Sequence, residues 1–316
     1  MSLIEVEDVR RTFIVRAKVG RVRRARREIV AVDGLSFEIP AGEAVGFIGP
    51  NGAGKSTTVK MLTGILTPTS GRLSVAGLAP AARRTELARR IGVVFGQRTG
   101  LWWDLPLRDS FDLLRRMYGV TGDRYRANLA TFVELLDLEE LLDQPVRSLS
   151  LGQRVRGDIA AALLHDPQIL YLDEPTIGLD VVSKARLREF LRSLIAERGT
   201  TVLLTTHDLV DIEHVCSRAL VIDHGRRVFD GSLDALRSLG GGRTVVVDLA
   251  ESTGPVVVPG ATVTRVEGPR QWLALPPRAS TAPVIAALAA SYDVADLSVQ
   301  EPAIEDVIVD LYARGA

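Results

Sequence analysis

An α/β fold is what this sequence predicts: a parallel sheet core covered by helices, followed by a small C-terminal α+β domain. Three observations carry that expectation. Between residues 43 and 208, short and nearly continuous apolar runs alternate with amphipathic helical stretches, as buried parallel strands and their crossover helices require. The segment GPNGAGKST, residues 49–57, sits between one such run and a helix-compatible stretch. After GGGR, residues 240–243, the pattern changes to several short strand-like runs and two helices.

Composition sets the outer bounds. A chain of 316 residues with 46% hydrophobic and 25% charged content is long enough for one large domain and a small one. Its 39 basic and 39 acidic residues balance, so the net charge gives no argument for nucleic acid as a partner. The single cysteine, Cys216, excludes an intramolecular disulfide framework and fits a reducing compartment. No run approaches the roughly 18 apolar residues that span a bilayer, and the start MSLIEVEDVRR lacks the apolar core of a signal peptide. The expectation is a cytosolic protein, or one peripheral to a membrane that it does not cross.

Taken in order, LIEV and AVDGLSFEI read as strands of an N-terminal sheet. Between them, residues 10–27 carry many Arg and Lys and no acid, ending in RVRRARR. That run reads as an insertion, either a solvated loop or a contact for anionic lipid or for the loop of a membrane partner. EAVGFIGP is a buried strand, and KSTTVKMLTGIL the helix behind it. LRDSFDLLRRMYG and RYRANLATFVELLDL space their apolar residues by three and four, as helices do. At RSLSLGQRVR, Ser150 followed three residues later by Gln153 forms a capping box for the next helix. QILYLDEP and TVLLTTHD are buried strands around the helix SKARLREFLRSLIAERG, and ALVIDHGRRVFDG is a hairpin turning at His224-Gly225. Beyond GGGR come TVVVDLA, ATVTRVEG, QWLALP, the helical PVIAALAASY, ADLSVQ, and a closing helix from Pro302 with Ile304, Val307, Ile308 and Leu311 on one face.

The residues that carry chemistry cluster at strand ends. GPNGAGKST fits G-x-x-x-x-G-K-[ST]: glycines let the backbone amides close around phosphate oxygens, Lys55 reaches the outer phosphates, and Ser56 holds magnesium. ILYLDEP ends a buried strand in Asp173 and Glu174; the first suits magnesium facing the phosphates, and the second suits orienting or deprotonating an attacking water. Gln97 in VVFGQR and His207 in LLTTHD each follow an apolar run.

The order of phosphate loop, Gln97, LSLGQ, LYLDEP, GLD and TTHD resembles an ATP-binding cassette (ABC) ATPase, the motor subunit of ABC transporters, over residues 3 to about 239. The C-terminal EPAIEDVIVDL and the stretch GQRTGLWWDLP resemble the drug-exporter, daunorubicin-resistance class. The resemblance implies a P-loop ABC cassette over residues 1–239, with an N-terminal antiparallel sheet and a helical subdomain at about 98–160, and an accessory α+β domain over 243–316. It implies ATP and Mg2+ as ligands. Gly49, Asn51, Gly52, Ala53, Gly54, Lys55 and Thr57 would hold the nucleotide's phosphates, with Ser56, Gln97 and Asp173 organising magnesium. Glu174 would be the catalytic base, His207 would contact the γ-phosphate and attacking water, and Gln97 and Lys55 would complete the catalytic set. Phe13 stands where the family stacks an aromatic on adenine, although a core role fits it as well.

In this family the LSGGQ element faces the ATP held by the other cassette of a head-to-tail pair. Ser150, Gly152 and Gln153 match it, Leu151 replaces its first glycine and is expected to point away from the nucleotide, and Asp180 in GLD would lie at the dimer interface. Trp102 and Trp103 follow Gln97, where the family receives its membrane partner. They read equally as a docking groove or as packing of the helical subdomain. The implied function is ATP hydrolysis that drives export of drugs or toxic metabolites through separately encoded permeases, by a homodimer peripheral to the cytoplasmic face of the membrane, with no nucleic acid. The alternative is a soluble ABC ATPase acting on the ribosome or DNA.

Overall fold

The computed structural model describes residues 2–19, 23–96, 98–277 and 279–315. The chain forms two compact units, Met1–Asp230 and Gly231–Ala316.

The first unit opens with β1 (Ser2–Val19) and β2 (Arg23–Pro40), an antiparallel pair whose ladder runs from Ser2 opposite Pro40 to Val19 opposite Arg23. Of the basic stretch 10–27, residues 10–19 and 23–27 are therefore not loop but the outer parts of two 18-residue strands. The β-branched residues Ile14, Val15, Ile29 and Val30 favour extended backbone. They prolong a ladder already registered by buried Ile4, Val6 and Val9 against buried Ile39, Phe37 and Leu35. After β3 (Ala44–Ile48) and α1 (Lys55–Leu62), β4 (Ser70–Val75) joins the far side of β1, giving the order β2-β1-β4. The sequence pattern predicts no strand at β4. Its outer half, Ser70 to Arg72, is exposed and polar, so it lacks the continuous apolar run of a core strand.

A second sheet follows, built from β3, β5 (Ile91–Phe95), β6 (Ile169–Asp173), β7 (Thr201–Thr205), β8 (Arg218–Asp223) and β9 (Arg226–Ser232) in the order β5-β6-β7-β3-β8-β9. The first five pair in parallel. β3 and β7 are buried at every position, the mark of strands covered on both faces. The hairpin from β8 to β9 turns at His224 and Gly225, both at positive φ, as a two-residue turn between right-twisted strands demands. Helices α2 (Arg84–Ala88), α3 (Leu107–Tyr118), α4 (Gly122–Leu135) and α5 (Leu151–Leu163) intervene before β6. Helices α6 (Val181–Arg198) and α7 (Leu209–Val215) flank β7.

The second unit holds α8 (Leu233–Arg237), β10 (Thr244–Leu249), β11 (Thr262–Glu267), β12 (Arg270–Ala274), α9 (Ala282–Ser291), β13 (Val294–Gln300) and α10 (Ile304–Gly315). Its antiparallel sheet has the order β11-β12-β10-β13. The unit begins ahead of the GGGR stretch because α8 belongs to it, packing with α10.

Candidate functional site

Register assembles the site. Phe95 at the end of β5 stands opposite Asp173 at the end of β6, and Asp173 stands opposite Thr205 at the end of β7. The chain thus delivers the segments after Phe95, Asp173 and Thr205 to one edge of the sheet, the C-terminal edge where α/β proteins place ligands. β3 runs parallel between β7 and β8 and ends beside them, so the loop 49–54 opens onto the same edge.

That loop is shaped by backbone demands. Gly52 and Gly54 have φ of +86° and +103°, the left-handed region where a side chain strains the backbone. A Cβ on Gly49 would also sit 2.6 Å from the carbonyl of Ile222. The loop feeds straight into α1, whose first amides face outward. Lys55, 6% exposed, donates to the carbonyls of Gly49 at 2.5 Å and Pro50 at 3.2 Å. Burial lowers its pKa, and the charges of Glu174 and Asp173 oppose that shift.

Asp173 is held from two sides. Its Oδ1 accepts from Thr205 Oγ1 at 2.6 Å and from Ser56 Oγ at 3.4 Å. Ser56 and Asp173 therefore offer neighbouring hard oxygen donors, the set magnesium prefers. Glu174 lies in the left-handed region at φ +57°, an uncommon conformation for a non-glycine residue. Its amide donates to the Thr205 carbonyl at 2.9 Å and to the Thr205 hydroxyl at 3.2 Å. Its carboxylate lies 2.7 Å from His207 Nε2. The loops that carry these residues are tied together by buried Asp211, which accepts from Thr176 at 2.6 Å, Thr206 at 3.2 Å and Arg188 at 2.6 Å.

An open cleft of about 630 Å³ is lined by Asn51, Ser56, Asp173, Glu174 and His207, together with Lys60, Phe95, Gly96, Arg98 and others. Gln97 lies outside the described residues. Phe13 is not among the lining residues; it is half-buried on β1, with the Arg11 guanidinium 4.6 Å over its ring. Two further contributors stand out only in the structure. Thr205 was legible as a hydroxyl at a strand end, but its hold on Asp173 depends on register. Gly96 is the other: its amide donates to the Asp173 carbonyl at 2.8 Å, and a Cβ there would overlap the carbonyl of Glu174.

Ser150 to Gln153 lie at the start of α5. Gln153 N donates to Ser150 Oγ at 3.3 Å, and Ser150 N donates to Gln153 Oε1 at 2.8 Å, the reciprocal capping box. Since the Ser150 hydroxyl only accepts in that box, its proton and the first-turn amides of Leu151 and Gly152 have no acceptor among the described residues. Leu151 packs on Gly178, its Cδ2 2.5 Å from where a Cβ of that glycine would sit. Gly152 would meet only ordinary contacts, from Leu179 and Ser183. Asp180 caps α6, accepting from the Ser183 amide at 2.9 Å and the Ser183 hydroxyl at 2.7 Å.

Trp102 and Trp103 are 37% and 49% exposed. The loop before them is fastened to α5: Asp158 Oδ1 accepts from Thr99 Oγ1 at 2.8 Å and from Gly100 N at 2.9 Å. Burial pushes the Asp158 pKa up to about 6 against those two bonds.

Comparison with known proteins gives a consistent result. The ABC transporter family profile matches residues 32–177. The Nod factor export ATP-binding protein I of Paraburkholderia xenovorans (strain LB400) is 42% identical over 217 residues, covering 68% of this chain and 70% of that protein. The protein of the same name from Rhizobium sp. (strain N33) is 39% identical over 216 residues, with the same coverage. Among solved structures, an ATP-binding subunit of an ABC transporter matches with TM-score 0.64 and 27% identity over 75% of this chain and 92% of that one. An ATP-binding cassette in a dimeric post-hydrolysis state, bound to ADP and Pi, matches with TM-score 0.62 and 26% identity over 73% and 98%.

Proposed function

The chain belongs to the ATP-binding proteins of the ABC transporter family, and from that premise we propose how its site turns over ATP. It is the nucleotide-binding, ATP-hydrolysing subunit of an exporter. The observation that carries the mechanism is the single edge at which the phosphate loop, Asp173, Glu174 and His207 meet.

The amides of Gly49 to Thr57 cradle the β- and γ-phosphates, and Lys55 neutralises their charge from a buried position where its field is little screened. Ser56 and Asp173 would hold magnesium, with Gln97 assigned as a third ligand by the family pattern; the metal would supply charge neutralisation at the phosphates. Glu174 accepts the proton of the attacking water. His207, at hydrogen-bond distance, orients that carboxylate and faces the γ-phosphate. Phe13 is the residue that the family pattern assigns to stacking on adenine.

Two copies close head to tail. The hydroxyl proton of Ser150 and the amides of Leu151 and Gly152 then donate to the γ-phosphate bound by the partner copy, while Gln153 holds the turn and Asp180 sits at the interface. Nothing in this chain demands glycine at 152; a phosphate approaching the backbone does. The membrane path lies in permease subunits, since no helix among the described residues is long and apolar enough to cross a membrane. The protein then works from the cytoplasmic face, with drugs or toxic metabolites as the cargo class. The names of its relatives, which are export subunits, favour this over a role at the ribosome or on DNA.

The test is the Glu174→Gln variant. It is expected to lose at least about a hundredfold in ATPase rate and to form an ATP-dependent dimer on gel filtration, while Ser150→Arg added to it abolishes that dimer. A Glu174→Gln protein that still hydrolyses ATP at the wild-type rate removes the catalytic base. A Ser150→Arg protein that dimerises as well as its parent reduces Ser150 to a helix cap.

A further inference from the structure

The distal part of the β1–β2 hairpin serves none of the steps above. Residues 10–27 hold nine Arg and Lys and no acid, in a chain whose 39 bases and 39 acids balance, so charge is segregated sharply onto this one element. A dense run of one charge sign repels itself, and an external anion relieves that repulsion.

Apolar exposure lies alongside the charge. Ile14 and Val15 on one strand, with Ile29 and Val30 on the other, are 64%, 42%, 46% and 51% exposed. In an antiparallel ladder opposed residues share a face and alternate along it. Val15 and Arg27 therefore lie on the face of Phe13 and Ile29, while Ile14 and Glu28 lie on the face of Val30. Both faces of the ribbon carry uncovered β-branched residues beside exposed Arg26 and Arg27. An isolated two-stranded ribbon is marginally stable in water, and nothing among the described residues covers Ile14, Val15, Ile29 and Val30. Apolar side chains next to a dense run of bases match the interface of a bilayer, where anionic headgroups sit above acyl chains.

We propose that the distal β1–β2 hairpin is a membrane-surface anchor, which binds anionic phospholipid through the bases its sequence carries and the exposed Ile14, Val15, Ile29 and Val30, independently of any permease. It rests on the proposed function only in that a transporter subunit works beside a bilayer. The chemistry of binding is between this chain and lipid alone.

The experiment is co-sedimentation of the purified full-length protein with permease-free vesicles, either phosphatidylcholine alone or an equimolar mixture with phosphatidylglycerol. Wild-type protein is expected to sediment with the anionic vesicles and not with the neutral ones, and to be released by salt. Each base near an anionic surface contributes about fivefold in partitioning, so the quadruple change Arg23→Gln, Arg24→Gln, Arg26→Gln and Arg27→Gln should weaken binding by about a hundredfold or more. The pair Ile14→Ser and Val30→Ser should weaken it further without altering the salt dependence. ATPase activity and thermal melting serve as folding controls, and none of these residues belongs to the catalytic machinery. Equal binding to neutral and anionic vesicles overturns the proposal, as does undiminished binding by the quadruple variant. Equally tight, equally salt-sensitive binding to duplex DNA overturns lipid as the occupant. Failure here leaves the Glu174→Gln result standing, so the two readings fail separately.

Discussion

Replacing Asp158 by Asn should make the protein more stable at pH 7.5 but not at pH 4. Asp158 is 8% exposed on α5, and burial raises its pKa from 3.8 to about 6. Between those values the folded chain keeps a proton that the unfolded chain has released, so stability falls as pH rises through that window and levels off above it. A displacement of about two pKa units corresponds to about 3 kcal/mol, all of it present as a penalty at pH 7.5. At pH 4 the folded carboxyl is protonated and the unfolded one about two-fifths so, which leaves only about 0.5 kcal/mol of the penalty. Asn keeps an oxygen in place to accept from Thr99 Oγ1 and Gly100 N, but its amide group brings donors that need partners, at about 1–2 kcal/mol. The variant is therefore expected to gain about 1–2 kcal/mol at pH 7.5 and to be neutral or slightly weaker at pH 4, a difference of about 2–3 kcal/mol between the two. Urea unfolding at each pH reads this directly, with emission from Trp102 and Trp103 reporting on the fastened loop. Other titrating groups cancel in the comparison of variant with wild type. A variant that is destabilised equally at both pH values would show that Asp158 is charged and satisfied in the fold, and the reasoning would fail.

Gly96→Ala should cut ATPase activity severely while leaving ATP binding intact, because the added methyl overlaps the carbonyl of Glu174; unchanged turnover with unchanged fold would show that this contact does not set the position of the base. Tyr171→Phe should be neutral or stabilise by up to about 1 kcal/mol in thermal or urea melts, since Tyr171 is fully buried and its hydroxyl has no hydrogen-bond partner among the described residues; a loss above 1 kcal/mol would reveal a partner. Alanine at Trp102 and Trp103 should lower co-purification of the permease subunits while costing less than about 1 kcal/mol of stability, because both side chains are substantially exposed; a large loss of stability would return them to a packing role.

What the sequence determined by itself is whatever depends on local chemistry. The glycines of residues 49–54 and Lys55 announce a phosphate loop because only those residue types allow the required backbone and charge. The buried strands announce themselves by continuous apolar runs, the hairpin at His224-Gly225 by its turn, and the start of α5 by the Ser150–Gln153 box. The order of these pieces was enough to identify the family. Tertiary structure decided what depends on register and through-space contact. Thr205 holds Asp173 only because β6 and β7 pair in one register. Gly96 is required because the chain passes against Glu174, and Leu151 replaces a family glycine by packing on Gly178, 27 positions away. Asp158 reads as an ordinary helical acid until the loop from Thr99 closes over it. The basic stretch 10–27 misled most, because charge density argues for a solvated loop, whereas a strand needs only a partner ladder. That ladder is registered by buried Ile4, Val6 and Val9 opposite buried Ile39, Phe37 and Leu35, and a pairing between distant segments is a property that no local window of sequence contains.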